Sequence, residues 1–134
     1  MNRAFLCSAI EGLASQYGYH FQLNDKTYYP TTVCHYPAAF MTPPEFASME
    51  GRKHGRIIYK ISLRLAQQGA KLCPEERNAL LDTMEKDLID LFVALSKTER
   101  VAVIDELTIS PTSSPIDAHG AITLEANAYV TTIF

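Results

Sequence analysis

The residues of this chain that could do chemistry are few and scattered. Cys34 and His35 are adjacent, and a thiol beside an imidazole is the raw material of a nucleophile and its base. They fall in TYYPTTVCHY, a β-branched and aromatic run over 27–36 that reads as a strand. Neighbours on a strand point to opposite faces, so the two cannot act on each other. A catalytic Cys34 would need His20, His54 or His119 brought to it by the fold. No two histidines stand at i,i+4 or at a finger-like spacing, and no CxxC occurs, so no metal site is expected. Asp82, Glu85, Asp87 and Asp90 are close in sequence, but at helical spacing they spread around a polar side and read as a solvated face. Gly51-Arg52-Lys53-His54-Gly55-Arg56 is the one stretch with the glycine and base content of a phosphate loop. It lacks the helix start that would present N–H groups to a phosphate, so it reads as a basic loop tip at an interface. No catalytic residue, cofactor or metal is assigned, and the chain is not expected to be an enzyme.

The elements that hold these residues are clearer. Cys73 to Lys97 places Leu80, Leu81, Met84, Leu88, Leu91, Phe92 and Leu95 at three- and four-residue spacing, a helical stripe wide enough to cover a sheet. Pro74 suits a first helical position, and Glu75 and Glu76 suit the positive end of the helix dipole. A shorter amphipathic helix over 2–16 carries Phe5, Leu6, Ala9, Ile10 and Leu13 and ends at Tyr17-Gly18. Strands are expected at 19–23, 27–36, 56–66, 101–109 and 121–134. In the third of these, Ile57, Tyr59, Ile61, Leu63 and Leu65 alternate with Ile58, Lys60, Ser62 and Arg64. The last two are expected to pair as an antiparallel hairpin across a proline-bearing turn at 110–120. From Pro37 to Gly55 the pattern dissolves into an irregular loop or hairpin excursion with Phe40, Met41, Phe46 and Met49 among prolines and glycines.

These elements make one α+β domain over 1–134. It is a mainly antiparallel sheet with one long and one short helix packed on it, in the order α-β-β-loop-β-α-β-β. A chain of 134 residues, 47% hydrophobic and 20% charged, is long enough for a core without metal or disulfides. Its net charge of −3 argues against a general nucleic-acid binder, and no sequence-specific nucleic acid is expected as a partner. No apolar run approaches a membrane span, and the N-terminus lacks a signal-peptide layout. Three widely spaced cysteines, Cys7, Cys34 and Cys73, are expected to be free thiols in a reducing cytoplasm.

The order of elements resembles the tail terminator, or tail completion, proteins of long-tailed phages, including the minor tail protein U type. The likeness rests on an N-terminal helix and a strand with a Tyr29-Pro30 step running through Thr31-Thr32-Val33-Cys34-His35-Tyr36. An irregular hairpin, the alternating strand Ile57 to Leu65, a helix opening Pro-Glu-Glu and a final hairpin ending Tyr129-Val130-Thr131-Thr132 complete it. It covers most of the chain. It implies a structural protein of a phage or prophage: a ring, usually a hexamer, that caps the tail tube, stops its growth and joins it to the head. Partners would be other copies of itself, the tail tube and head-completion proteins, and the location host cytoplasm and virion tail. The family shares no catalytic residues, so none carry over. The Pro37–Gly55 stretch departs from it, being rich in Pro, Met and Phe where the family has a more acidic hairpin. Another head–tail connector or assembly protein would share this size and layout. A small-molecule-binding α+β domain is the alternative from a different class, and a pocket between helix and sheet would favour it.

A ring needs two different patches that meet head to tail. One candidate is the 40–56 segment, with Phe40, Met41, Phe46 and Met49 beside Arg52, Lys53 and Arg56. The other is the side of the long helix opposite its main stripe, where Ile89 and Val93 sit among Asp82, Glu85 and Asp90. Alternatively, the N-terminal helix covers Ile89 and Val93 within one subunit.

Overall fold

The computed structural model describes residues 2–23, 37–67, 72–111 and 122–134. The elements run α1 (Asn2–Gln16), β1 (His20–Leu23), β2 (Ala38–Met41), β3 (Glu45–Gly51), β4 (Gly55–Gln67), α2 (Pro74–Ser96), β5 (Val101–Pro111) and β6 (Ile122–Ile133). The class is α+β, with a mostly antiparallel sheet and one long and one short helix. The expected strand at 27–36, with Cys34 and His35, lies outside the described residues.

β4 and β6 form the centre. They pair antiparallel along their full length, from Arg56 opposite Ile133 to Gln67 opposite Ile122. The alternation in β4 sorts its side chains as expected. Tyr59, Ile61, Leu63 and Leu65 are buried in the core with Ile122, Leu124, Ala126, Ala128 and Val130 of β6. On the other face, Ser62 Oγ donates to Glu125 Oε1 at 3.2 Å, and Arg64 lies 3.6 Å from the same carboxylate. β5 pairs antiparallel with β6, and its register shifts twice, between Val101 and Val103 and between Asp105 and Thr108. At the second shift Glu106 takes φ 55°, a left-handed conformation that non-glycine residues seldom adopt.

Helix α2 lies against β5 and β6, and α1 lies against α2 and β1. Met84, Leu88, Leu91, Phe92 and Leu95 bury the α2 stripe, with Leu80 and Leu81 partly buried beside them. Cys73 precedes Pro74 in an extended conformation, and its N–H donates to the Glu76 carboxylate at 3.4 Å. That satisfies an N–H at the helix start for which no intrahelical carbonyl is available. Helix α1 ends as its sequence requires. Gly18 takes φ 88°, its N–H donates to Ser15 at 3.0 Å, and the Tyr19 N–H donates back to Ala14 at 2.9 Å. This glycine-terminated pair of hydrogen bonds satisfies the Ser15 and Ala14 carbonyls and turns Tyr19 into the core. At the other end, buried Asn2 donates through Nδ2 to Thr132 Oγ1 at 2.9 Å, and Thr132 donates to the Ile57 carbonyl. That chain ties α1 to β6 and β4. Among the described residues no helix is long and apolar enough to cross a membrane.

The 37–55 stretch is not irregular. It contains β2 and β3, both antiparallel to β4. β2 pairs with the far half of β4 and takes β1 as a parallel neighbour on its other side. β3 pairs with the near half of β4, from Glu45 opposite Lys60 to Gly51 opposite Gly55. Thr42-Pro43-Pro44 separates the two strands, where prolines that cannot donate to a ladder do no harm.

Candidate functional site

The β3–β4 hairpin is built by its glycines. Gly51 has φ 105°, and a Cβ on Gly55 would sit 1.9 Å from the Glu50 carbonyl oxygen. Only this backbone lets the strands close around the tip Arg52-Lys53-His54, which is wholly exposed. Along β3 every residue is exposed. The register slips between Phe46 and Ser48, so Phe46 opposes Tyr59 while Met49 opposes Ile57. Directly opposed residues share a face. The bulge therefore puts Phe46 and Met49, three residues apart, on the face that carries Ile57, Tyr59 and Ile61. That is the helix-bearing face. Phe46 meets the Tyr59 ring edge-on at 6.5 Å, yet Phe46 remains 57% and Met49 55% exposed.

Phe40 and Met41 must be removed from the predicted surface. Both are fully buried, because β2 stands beside the core half of β4. Met41 and Ala39 join the core under the helices, while Phe40 opposes Arg64 on the other face. Arg52, Lys53 and Arg56 are exposed, but Arg56 opposes Ile133 on the sheet face away from Phe46 and Met49. The apolar patch of the hairpin is thus Phe46 and Met49, and its basic end is Arg52 and Lys53.

On α2, Ile89 and Val93 are 43% and 46% exposed. The shorter helix packs against α2 without covering them. Asp82 and Glu85 are exposed on the same side, and Asp90 is half-buried and 3.3 Å from Lys86 Nζ. An exposed i,i+4 pair of this kind contributes only about 0.3–0.5 kcal/mol and leaves the side net acidic.

The remaining candidates for chemistry do not converge. His119, like Cys34 and His35, is outside the described residues. His20 is exposed on β1, and His54 is at the hairpin tip. Cys73 is a free exposed thiol, and Cys7 a half-buried one whose pKa is raised chiefly by burial. Among the described residues, no group of three or more His, Cys, Asp and Glu is placed to hold a metal. A cleft of about 460 Å³ opens between the end of α1 and strands β1 and β2, with Glu11, Ser15 and His20 on its wall. Beside it Tyr19 donates its hydroxyl to Asp87 Oδ2 at 2.8 Å. Burial above all, and then this bond and the Asp87 charge, hold the phenol well above its ordinary range. The sequence reading missed both the cleft and this bond. Tyr19 was legible in principle, since the residue after a C-terminal helix glycine is often apolar and turned inward.

No protein-family model matches the chain, and no curated protein matches it.

Proposed function

We propose that this protein is a structural subunit that assembles with copies of itself, in the manner of the tail terminator proteins of long-tailed phages. On this reading it forms a ring on the end of a tail tube and joins the tube to the head. The supporting observation is the β3 strand. It is exposed along its whole length, and it carries Phe46 and Met49 more than half in solvent. Large apolar side chains held side by side on a formed strand are costly in water and mark a contact surface. A second apolar pair, Ile89 and Val93, lies on a different element. Two unlike surfaces on one chain favour head-to-tail growth, the geometry of rings and stacks, over a symmetric dimer. The resemblance of the sequence to the terminator proteins supplies the rest of the reading.

The genes beside this one test it without purification. Head-completion and major tail genes on either side are the expected result. A neighbourhood of metabolic genes alone would overturn the tail reading. The alternative of a small-molecule binder has the 460 Å³ cleft as its place. It predicts that ligand mixtures shift the resonances of Ser15, His20 and Gln22 and raise the melting temperature.

A further inference from the structure

Phe46 and Met49 lie on the sheet face that α1 and α2 cover elsewhere, α2 over β5 and β6 and α1 at β1. The natural occupant of such a place is another helix. The hairpin also has an order. From Phe46 it runs through Met49 to Arg52 and Lys53, apolar first and basic last. The outer side of α2, followed from its C-terminal end, runs Val93, Ile89, Glu85, Asp82, which is apolar first and acidic last. The spacings are compatible. Met49 to Arg52 is three residues, the last just beyond β3, and reaches at most about 10 Å. Ile89 to Asp82 spans seven helical residues, about 10.5 Å.

We propose that α2 of a second copy lies over β3 of the first and antiparallel to it. Val93 and Ile89 meet Phe46 and Met49, and Glu85 and Asp82 meet Arg52 and Lys53. The opposite direction fails on charge, because it carries the acidic end of α2 to Glu45 and leaves the basic tip over Val93. Each copy offers one hairpin and one helix, so each contact leaves a free hairpin at one end of the assembly and a free helix at the other. The inference rests on the self-assembly reading and adds to it which surfaces meet and in which direction.

A charge exchange tests it. One variant carries Asp82→Lys and Glu85→Lys, the other Arg52→Glu and Lys53→Glu. All four positions are exposed, so both variants are expected to fold as the parent does by circular dichroism. Association is measured by sedimentation at ~0.01 M salt, where the Debye length is about 30 Å. Each variant alone is expected to associate at least tenfold more weakly than the parent. An equal mixture is expected to recover, because every helix then finds a hairpin of opposite charge. Disulfide trapping in a background with Cys7, Cys34 and Cys73 replaced by serine is the second arm. Met49→Cys mixed with Ile89→Cys should cross-link, and neither alone should. If each charge variant assembles as the parent does, or if Met49→Cys alone cross-links as well as the mixture, the docking is wrong while self-assembly stands. A parent that is monomeric in the same cell removes both.

Discussion

Leu88→Ala is the sharpest test of how the chain is held together. Leu88 has no exposed surface and shares its core with Met84, Leu91, Tyr59, Ile61 and Leu63. The substitution removes three carbons. At about 0.8 kcal/mol for each buried methylene, the transfer contribution is about 2.4 kcal/mol. The cavity left behind raises the cost, and measured Leu→Ala changes of this kind fall at about 2–5 kcal/mol. Met84 is flexible enough to fill part of the space, so the expected loss is about 3–4 kcal/mol. At about 2.1 cal/mol/K per residue, a chain of 134 residues unfolds with an entropy of about 0.28 kcal/mol/K. The midpoint should therefore fall by about 10–14 °C. The assay is thermal and urea unfolding of parent and variant at one protein concentration, since association raises apparent stability by mass action. Ile89→Ala is the control. It is the next residue, but 43% exposed, and its fold stability should change by no more than about 0.5 kcal/mol while association suffers. A Leu88→Ala loss below about 0.5 kcal/mol, or equal losses at the two positions, would mean that the helix stripe is wrongly placed.

Three further outcomes are expected. Gly55→Ala forces a Cβ against the Glu50 carbonyl, so it should cost about 1–3 kcal/mol and speed amide exchange in β3; unchanged β3 protection would show that the tip accommodates a side chain. Glu106→Gly relieves a left-handed residue at the β5 bulge and should gain about 0.5–1 kcal/mol in urea unfolding after the entropy cost of glycine; a net loss would mean that the Glu106 side chain contributes to the fold. Tyr19 keeps its proton in the folded state to a higher pH than in the unfolded state, so its contribution is whole below about pH 10 and is lost as pH rises above it. Tyr19→Phe should flatten that alkaline decline relative to the parent, and identical profiles would show that the Asp87 bond carries no such linkage.

The sequence and the structure agree where one side chain has one face to serve. β4 alternates because one face meets helices and the other polar side chains, and α2 shows a stripe because only one side is buried. The first and last strands around β4 and α2 follow from the same period. β2 was hidden because Ala38–Met41 is buried on both faces, so no alternation marks it. β3 was hidden for the opposite reason: it is exposed on both faces, and its bulge puts Phe46 and Met49 out of phase with a two-residue period. Phe40 and Met41, and Phe46 and Met49, are the same residue types a few positions apart with opposite fates. What separates them is which half of β4 each strand meets, and a local pattern does not encode that. The parallel pairing of β1 with β2 is equally non-local. On α2 the exposure of Ile89 and Val93 was legible, since two apolar residues at i,i+4 on a polar side stand out.

The measurement closest to the central claim is the mass of the purified protein in solution, followed by sedimentation from micromolar to millimolar concentration. A subunit of 14.9 kDa that joins head to tail should give one closed species of fixed copy number in reversible exchange with monomer, ring-shaped in electron micrographs. A monomer across the whole range, or a dimer that grows no further, would contradict the account.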